Sequence, residues 1–301
     1  MIAMDSQAAF DLDTYWDSWR LAIESELDRL TVRRQPETLW DGMRYSLQAG
    51  GKRLRPLLTV ATLEALGQDP MPALPAACAL ELIHTQSLIH DDLPAMDDDD
   101  LRRGKPTNHK VFGEAQAILA GDAMLAWAFA VIAGPLNKVY PAERCLAVAR
   151  ELAEATVLGM VSGQAVDIAS EGQTISAETL AYIHTHKTGA LIRAAVRTGA
   201  VLSGATVSDS AALDRYADAL GLAFQIADDI LDVTKTAAEL GKTPGKDEAA
   251  DKATYVKMYG LDVAHQRLQQ AGDDAEEALV SFDASALPLR SLARYVVNQV
   301  N

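Results

Sequence analysis

Apolar residues recur three and four positions apart through most of this chain, and that spacing leaves few folds open. LWDGMRYSLQAG, LTVATLEALG, AACALELIHTQSLIHDD, AILAGDAMLAWAFAVIA, RCLAVARELAEATVLGMVSG, LAYIHTHKTGALIRAAVRTGAVLSG and LDRYADALGLAFQIADDILDVT all keep a helical period. Several are apolar on most faces, as expected of the central helices of a large bundle. Alternating strand patterns are nearly absent, and glycine and proline fall between the helical stretches, as in GQDPMPALP and GKTPGKDEAADK. At 301 residues, 49% of them hydrophobic, the chain has enough material for one large core. The expected fold class is all-α, a single-domain large helical bundle over residues 1–301 with roughly 261–301 as a peripheral helical tail.

Two places interrupt these helices with acid where an apolar face should continue. SLIHDDLPAMD carries Asp91, Asp92 and Asp97, and AFQIADDILD carries Asp228, Asp229 and Asp232. Asp228 and Asp232 are one helical turn apart, so both project from one face. Asp91 and Asp97 would fall on different faces of an ideal helix, but Pro94 distorts or ends the turn and lets Asp97 return. Each cluster ends a strongly apolar helix, so the natural arrangement sets the two facing each other across a cavity mouth. Carboxylates crowded in this way repel one another unless something positive sits among them. Hard oxygen ligands completed by water and phosphate describe a magnesium site built around a diphosphate.

A run such as DDDD is by itself usually a solvated face. An EF-hand loop is excluded around Asp97 because the glycine and terminal glutamate spacing is missing. GKTPGK at 241–246 is one residue short of a P-loop, and Asp247 stands where serine or threonine is needed. What raises the paired acids above a solvated face is the recurrence of basic segments beside them: GGKRLRP, LRRGKPT, HKTGA and GKTPGKD. Lys52, Arg53, Arg55, Arg102, Arg103, Lys187 and Lys242 are thereby candidates to hold two diphosphates. A net charge of −15 and a pI near 4.8 argue against a nucleic-acid face. Cys78 and Cys145 lie in Ala/Leu-rich surroundings and are expected as buried free thiols in a reducing compartment. The first residues, MIAMDSQAAFDLDTYW, lack a basic and an apolar leader region, and AMLAWAFAVIAG is too short to span a bilayer. A cytoplasmic protein without membrane insertion is expected.

With GGKRLRP, DDLPAMDDDDLRRGKPT, HKTGALIRAA and FQIADDILD in this order, the sequence resembles the short-chain all-trans polyprenyl diphosphate synthases over essentially its whole length. IHTQSLIHDDLP, NHKVFGE and GKTPGKDEAADKATY resemble the cyanobacterial and plastid geranylgeranyl diphosphate synthases in particular; bacterial farnesyl diphosphate synthases come next. Val256 departs from the family, which commonly has proline there. The resemblance implies an isoprenoid synthase fold around a central cavity and head-to-tail condensation of isopentenyl diphosphate with allylic diphosphates. It implies Mg2+, three ions per site with bound diphosphate and Mn2+ as a substitute, and a homodimer. Asp91, Asp97 and Asp228, supported by Asp92 and Asp232, resemble the magnesium ligands. Arg102, Lys187 and Lys242 resemble contacts to the allylic diphosphate; Gly51, Lys52, Arg55, His84 and Arg103 resemble the isopentenyl diphosphate pocket. Thr188 and Gln225 resemble polar groups near the reacting carbons, and Thr85, Gln86 and Ser87 the floor that limits product length. At the position of Gln86 farnesyl-making relatives commonly carry an aromatic residue, so geranylgeranyl diphosphate is the expected product and farnesyl diphosphate the alternative. For His84 and His90 taken alone, a core role is the plainer reading. A terpene cyclase would usually alter the second acid motif and has no need of GGKRLRP, and a non-catalytic regulatory subunit typically loses acidic ligands that this chain keeps.

Overall fold

A computed structural model describes residues 10–234 and 254–300. In chain order its helices are α1 (Leu12–Leu30), α2 (Glu37–Leu47), α3 (Leu54–Ala65), α4 (Leu74–Asp91), α5 (Asn108–Phe112), α6 (Glu114–Ala133), α7 (Ala142–Glu154), α8 (Ser162–Ala169), α9 (Ala177–Ile183), α10 (Ala190–Ser203), α11 (Val207–Thr234), α12 (Tyr255–Tyr259), α13 (Leu261–Ala278) and α14 (Leu287–Asn298). Two wider π-helical turns, Ala155–Val161 and His184–Gly189, run straight into α8 and α10. Among the described residues the sole sheet is a hairpin of Leu101–Arg102 with Lys105–Pro106, closed by Arg103 and Gly104, both at positive φ. That pair of left-handed residues matches the twist of two adjoining strands.

α4 is the axis of the core. Apart from Glu81 its first half is apolar, and Ala76, Cys78, Leu80, Leu82 and Ile83 are all fully buried among α1, α3, α6 and α10. Each large aliphatic side chain removed from water there stabilises the fold by about 1.5–3 kcal/mol. The second half of α4 gains His84, Thr85, Gln86, Ser87 and His90, and it ends at Asp91. The acids therefore sit where a buried helix reaches the surface of the bundle. Both cysteines are buried and free.

α6 packs on α4 and α2, burying Ala117, Ala120, Gly121, Met124 and Ala128, with Gly121 against His90 of α4 and Ala120 against Gly42 of α2. Glu114–Lys138 is by length and composition long and apolar enough to cross a membrane, contrary to the shorter span expected from AMLAWAFAVIAG. The helix begins earlier than that stretch, at Glu114. The segment from 261 onward, expected as a peripheral helical tail, packs on the bundle. α13 lies along α11, where alanines at 264, 271 and 275 let the backbones approach and Leu268 fills the seam. α14 buries Leu289, Leu292 and Val296 against α11 and α3, and the fully buried Tyr216 of α11 donates its hydroxyl to the Leu289 carbonyl at 2.8 Å.

Candidate active site

The first acid cluster is shaped by the end of α4. Pro94 cannot continue the helix, and the chain turns back so that the Asp97 amide donates to the Asp91 carbonyl at 2.8 Å, while the Asp98 and Asp99 amides donate to Leu93 and Asp92, each at 3.1 Å. Asp97 thus returns beside Asp91. The Asp91 carboxyl is pushed up to about 6, chiefly by burial, with the Asp97 charge adding to the rise and Lys187 opposing it. Burial, more than the neighbouring carboxylates, makes the charged form of Asp91 costly here. Asp92 looks the other way: Arg102 grips its buried carboxylate through Nε at 2.7 Å and Nη2 at 2.6 Å. In this structure Asp92 is tied to Arg102, which also lies 3.6 Å from Asp99, and both Asp92 and Arg102 act on the Asp91 charge. A helix turns about 100° per residue, which is why adjacent aspartates part company. Asp100 pairs with Lys110 at 2.7 Å.

The second cluster divides in the same manner. Asp228 and Asp232 are half-buried on one face of α11, whereas Asp229 is buried on the next. Asp229 accepts the Gln225 amide at 3.0 Å and the Tyr255 backbone N–H at 2.7 Å, and His184 Nε2 lies 3.6 Å away. Burial holds His184 down to about 4, so its ring is neutral and packs flat on Tyr255. Gln225 is in consequence anchored to Asp229, and Asp229 ties α11 to the start of α12.

Lys187 and Thr188 stand on the π-helical turn 184–189, which packs on α11. One extra residue per turn swings side chains off the ordinary helical rows, a device found often at functional sites. Lys187 Nζ sits 2.6 Å from Asp167 on α8 and close enough to Asp91 to oppose its rise. It therefore stands between Asp167 and the Asp91 cluster. Close approach of α8 depends on Gly163, where a Cβ would fall 2.2 Å from the Lys187 amide nitrogen. Asp167 and its neighbour Gln164 were not anticipated. Both amide atoms of Gln164 are buried without a hydrogen-bond partner. Their signal was legible: a glutamine and an aspartate three apart on the helix SGQAVDIAS, facing the same way.

Of the residues expected to line an isopentenyl diphosphate pocket, Arg55, His84, Arg103 and Gly51 lie together. Arg55 is pushed down to about 10 by burial, and Arg103 is also lowered by burial, with other arginines contributing in the same direction. His84 lies among Arg55, Arg103 and Arg102; burial and then those cations hold it well below the ordinary histidine range, so it is neutral. Desolvated positive charge of this kind, only partly offset by Glu81, favours an anion. Arg103 donates to the Gly50 carbonyl, and its guanidinium lies flat on Gly51, where any Cβ would come within 2.7 Å. Lys52 is not brought in: its ammonium meets Gln299 and the Tyr295 ring of α14. Arg53 is also spent elsewhere, paired in the core with Glu81 at 2.7 Å. Lys242 lies outside the described residues.

The three residues expected to form one floor are spread over three faces of α4. Thr85 is buried towards a pocket lined by Tyr45, Ala49, Ile89, Asp92, Arg102 and Arg103. Gln86 turns to α6, and only Ser87 shares the face of Asp91, donating to the His84 carbonyl at 2.9 Å. The reason is again the 100° step.

The donor set fits a hard divalent cation. Among the described residues no three acid, histidine or cysteine side chains close a cage by themselves. Asp91 and Asp97 at one cluster and Asp228 and Asp232 at the other offer carboxylate oxygens that need water and phosphate to complete a shell, the coordination Mg2+ prefers.

A polyprenyl synthetase family model matches residues 36–280. The chain is 48% identical over 297 residues to a geranylgeranyl diphosphate synthase of Cyanophora paradoxa, covering 98% of this chain and 99% of the relative. It is 48% identical over 298 residues to a dimethylallyltranstransferase of Fischerella ambigua, covering 98% and 86%. The crystal structure of an FPP/GFPP synthase from Zymomonas mobilis superposes with a TM-score of 0.86 at 38% identity, over 95% of this chain and 98% of that one. With acids and cations arranged as described and a match over most of its length, the chain belongs to the polyprenyl synthetase family.

Proposed function

We propose that this protein is a prenyltransferase that adds isopentenyl diphosphate to dimethylallyl, geranyl and farnesyl diphosphates in turn, releasing diphosphate at each step and ending at geranylgeranyl diphosphate. The observation that carries the reading is that the second half of α4 brings the buried carboxyl of Asp91, with Asp97 beside it, and the desolvated guanidiniums of Arg55 and Arg103 around His84 into one region. The first calls for cations and the second for an anion. Its relatives' names agree, the Cyanophora protein being a geranylgeranyl diphosphate synthase.

Asp91, Asp97, Asp228 and Asp232 would hold Mg2+, three ions by analogy with the family and Mn2+ as a substitute. When bound, the metal supplies positive charge to the departing diphosphate. Lys187 adds its ammonium to the same diphosphate once it leaves Asp167, and Lys242 is assigned there by resemblance alone. Arg55 and Arg103, the latter lying on Gly51 and both beside neutral His84, hold isopentenyl diphosphate with its double bond towards the allylic carbon; Lys52 joins them by turning away from Gln299. Thr188 and Gln225 stay near the reacting carbons, Gln225 oriented by Asp229. Apolar helix faces below keep water from the carbocation. Fixed charges placed where charge develops are worth most in such a dry site.

A homodimer fits the exposed apolar residues Ile118 and Leu119 of α6, Leu146 of α7 and Val157 and Leu158 of the following turn, a larger face than isolated surface leucines make. We place the enzyme in the cytoplasm. The test is incubation of the purified full-length chain with Mg2+, dimethylallyl diphosphate and isopentenyl diphosphate, with products identified by mass spectrometry. Twenty-carbon diphosphate lost on chelation supports the reading. Products that stop at fifteen carbons would move the assignment to farnesyl diphosphate, and no condensation would overturn it.

A further inference from the structure

Gln86 and His90 are one turn apart on α4, on the side that meets α6, and a hydrogen-bonded chain joins them. The Ile118 carbonyl of α6 lies 3.2 Å from His90 Nε2, and the Gln86 Nε2 amide lies 3.0 Å from His90 Nδ1. A carbonyl only accepts, so Nε2 carries the ring proton and Nδ1 must accept from the Gln86 amide. The carbonyl thus sets the tautomer and, through it, which end of the amide faces the ring. The other end is left stranded: Gln86 Oε1 is buried without a partner. An unpaired buried acceptor is unfavourable, so the amide keeps this position only because His90 holds it.

Space for the ring is also provided. At Gly121 of α6 a Cβ would come within 2.1 Å of His90 Nε2, closer than any side chain allows, so a residue larger than glycine drives the ring out of its seat. Gln86 itself stands about 100° round α4 from Ser87, whose face carries Asp91, so a modest change of its rotamer takes it from the α6 side to the Asp91 side.

We propose that His90 is a positioning residue for product length: seated against Gly121 and the Ile118 carbonyl, it draws the Gln86 side chain towards α6 and keeps the cavity beneath Asp91 open for the longer chain. The inference rests on the reading that the product grows past this level of α4. Released from His90, the glutamine is free to turn its unpaired carbonyl into the cavity, where it takes up length that the last isoprene unit needs.

The test is the ratio of fifteen- to twenty-carbon diphosphates made by purified full-length variants from dimethylallyl and isopentenyl diphosphates. His90→Leu keeps the bulk and loses the acceptor, and it should raise that ratio by about fivefold or more, the scale of one lost ordinary hydrogen bond. Gly121→Ala should act in the same direction. Gln86→Ala combined with His90→Leu should return to within about twofold of Gln86→Ala alone, because no amide remains to move. A ratio that is unchanged in His90→Leu while Gln86→Tyr shortens the product overturns the His90 assignment and leaves the floor in place. A ratio unchanged in both variants overturns the floor as well. A His90 effect that persists with alanine at 86, or a shift to longer products, also overturns it. If His90→Leu does not fold, His90→Ala is read the same way.

Discussion

Replacing Asp91 with asparagine should make the metal-free protein more stable while disabling it. The Asp91 carboxyl is raised from 3.8 to about 6 in the fold, first by burial and then by Asp97. Ionising it therefore costs more folded than unfolded, by roughly 3 kcal/mol at about 1.4 kcal/mol per pH unit. The side chain remains partly open to solvent, which screens part of this, and about 1–2 kcal/mol is the working figure. The penalty is fully present above pH 6, falls as pH drops through 6, and vanishes below 3.8, where the group is protonated in both states. Asparagine has no charge to bury. Urea unfolding of chelator-treated parent and Asp91→Asn should show the variant ahead by about 1–2 kcal/mol at pH 8 and level with the parent near pH 4. Adding Mg2+ with inorganic diphosphate should stabilise the parent and leave the variant behind, since only the parent gains binding energy. A variant no more stable at pH 8, or a gap that persists in acid, would show that the carboxyl is not strained and that its charge is already compensated within the protein.

Asp228→Ala should fold normally and lose about a hundredfold or more in turnover at saturating Mg2+, the scale of removing one electrostatic group that acts on the transition state; near-parental turnover removes it from the metal site. Arg55→Ala should raise the KM for isopentenyl diphosphate more than that for the allylic substrate in steady-state assays, and the reverse pattern exchanges the two pockets. Glu81→Ala strands the buried Arg53 guanidinium, so urea unfolding should register a loss of about 3–5 kcal/mol. A loss under about 1 kcal/mol would mean that Arg53 finds water or another acceptor.

The helical class, the two acid clusters and the basic segments beside them could be read from residue order because each is local. Apolar spacing of three and four settles a helix whatever surrounds it, and six aspartates in ten positions are abnormal in any fold. Which aspartate of each pair faces the site was not local in the same sense. Asp92 is claimed by Arg102 on a hairpin and Asp229 by the backbone of Tyr255, partners ten and twenty-six residues away that only the folded chain brings up. The same holds for Arg53 and Lys52: inside GGKRLRP they look like equals of Arg55, yet one is taken by Glu81 in the core and the other by Gln299 near the C-terminus. Asp167 and Gln164 escaped notice because neither belongs to a charge cluster until the π-helical turn carries Lys187 onto α8. The helices after 260 are polar on one side, and only packing shows that their other side covers the apolar face of α11. Periodicity states which residues can share a face. Only packing decides which face meets a partner, because a side chain's charge and hydrogen bonds are satisfied by whatever the tertiary fold sets opposite it.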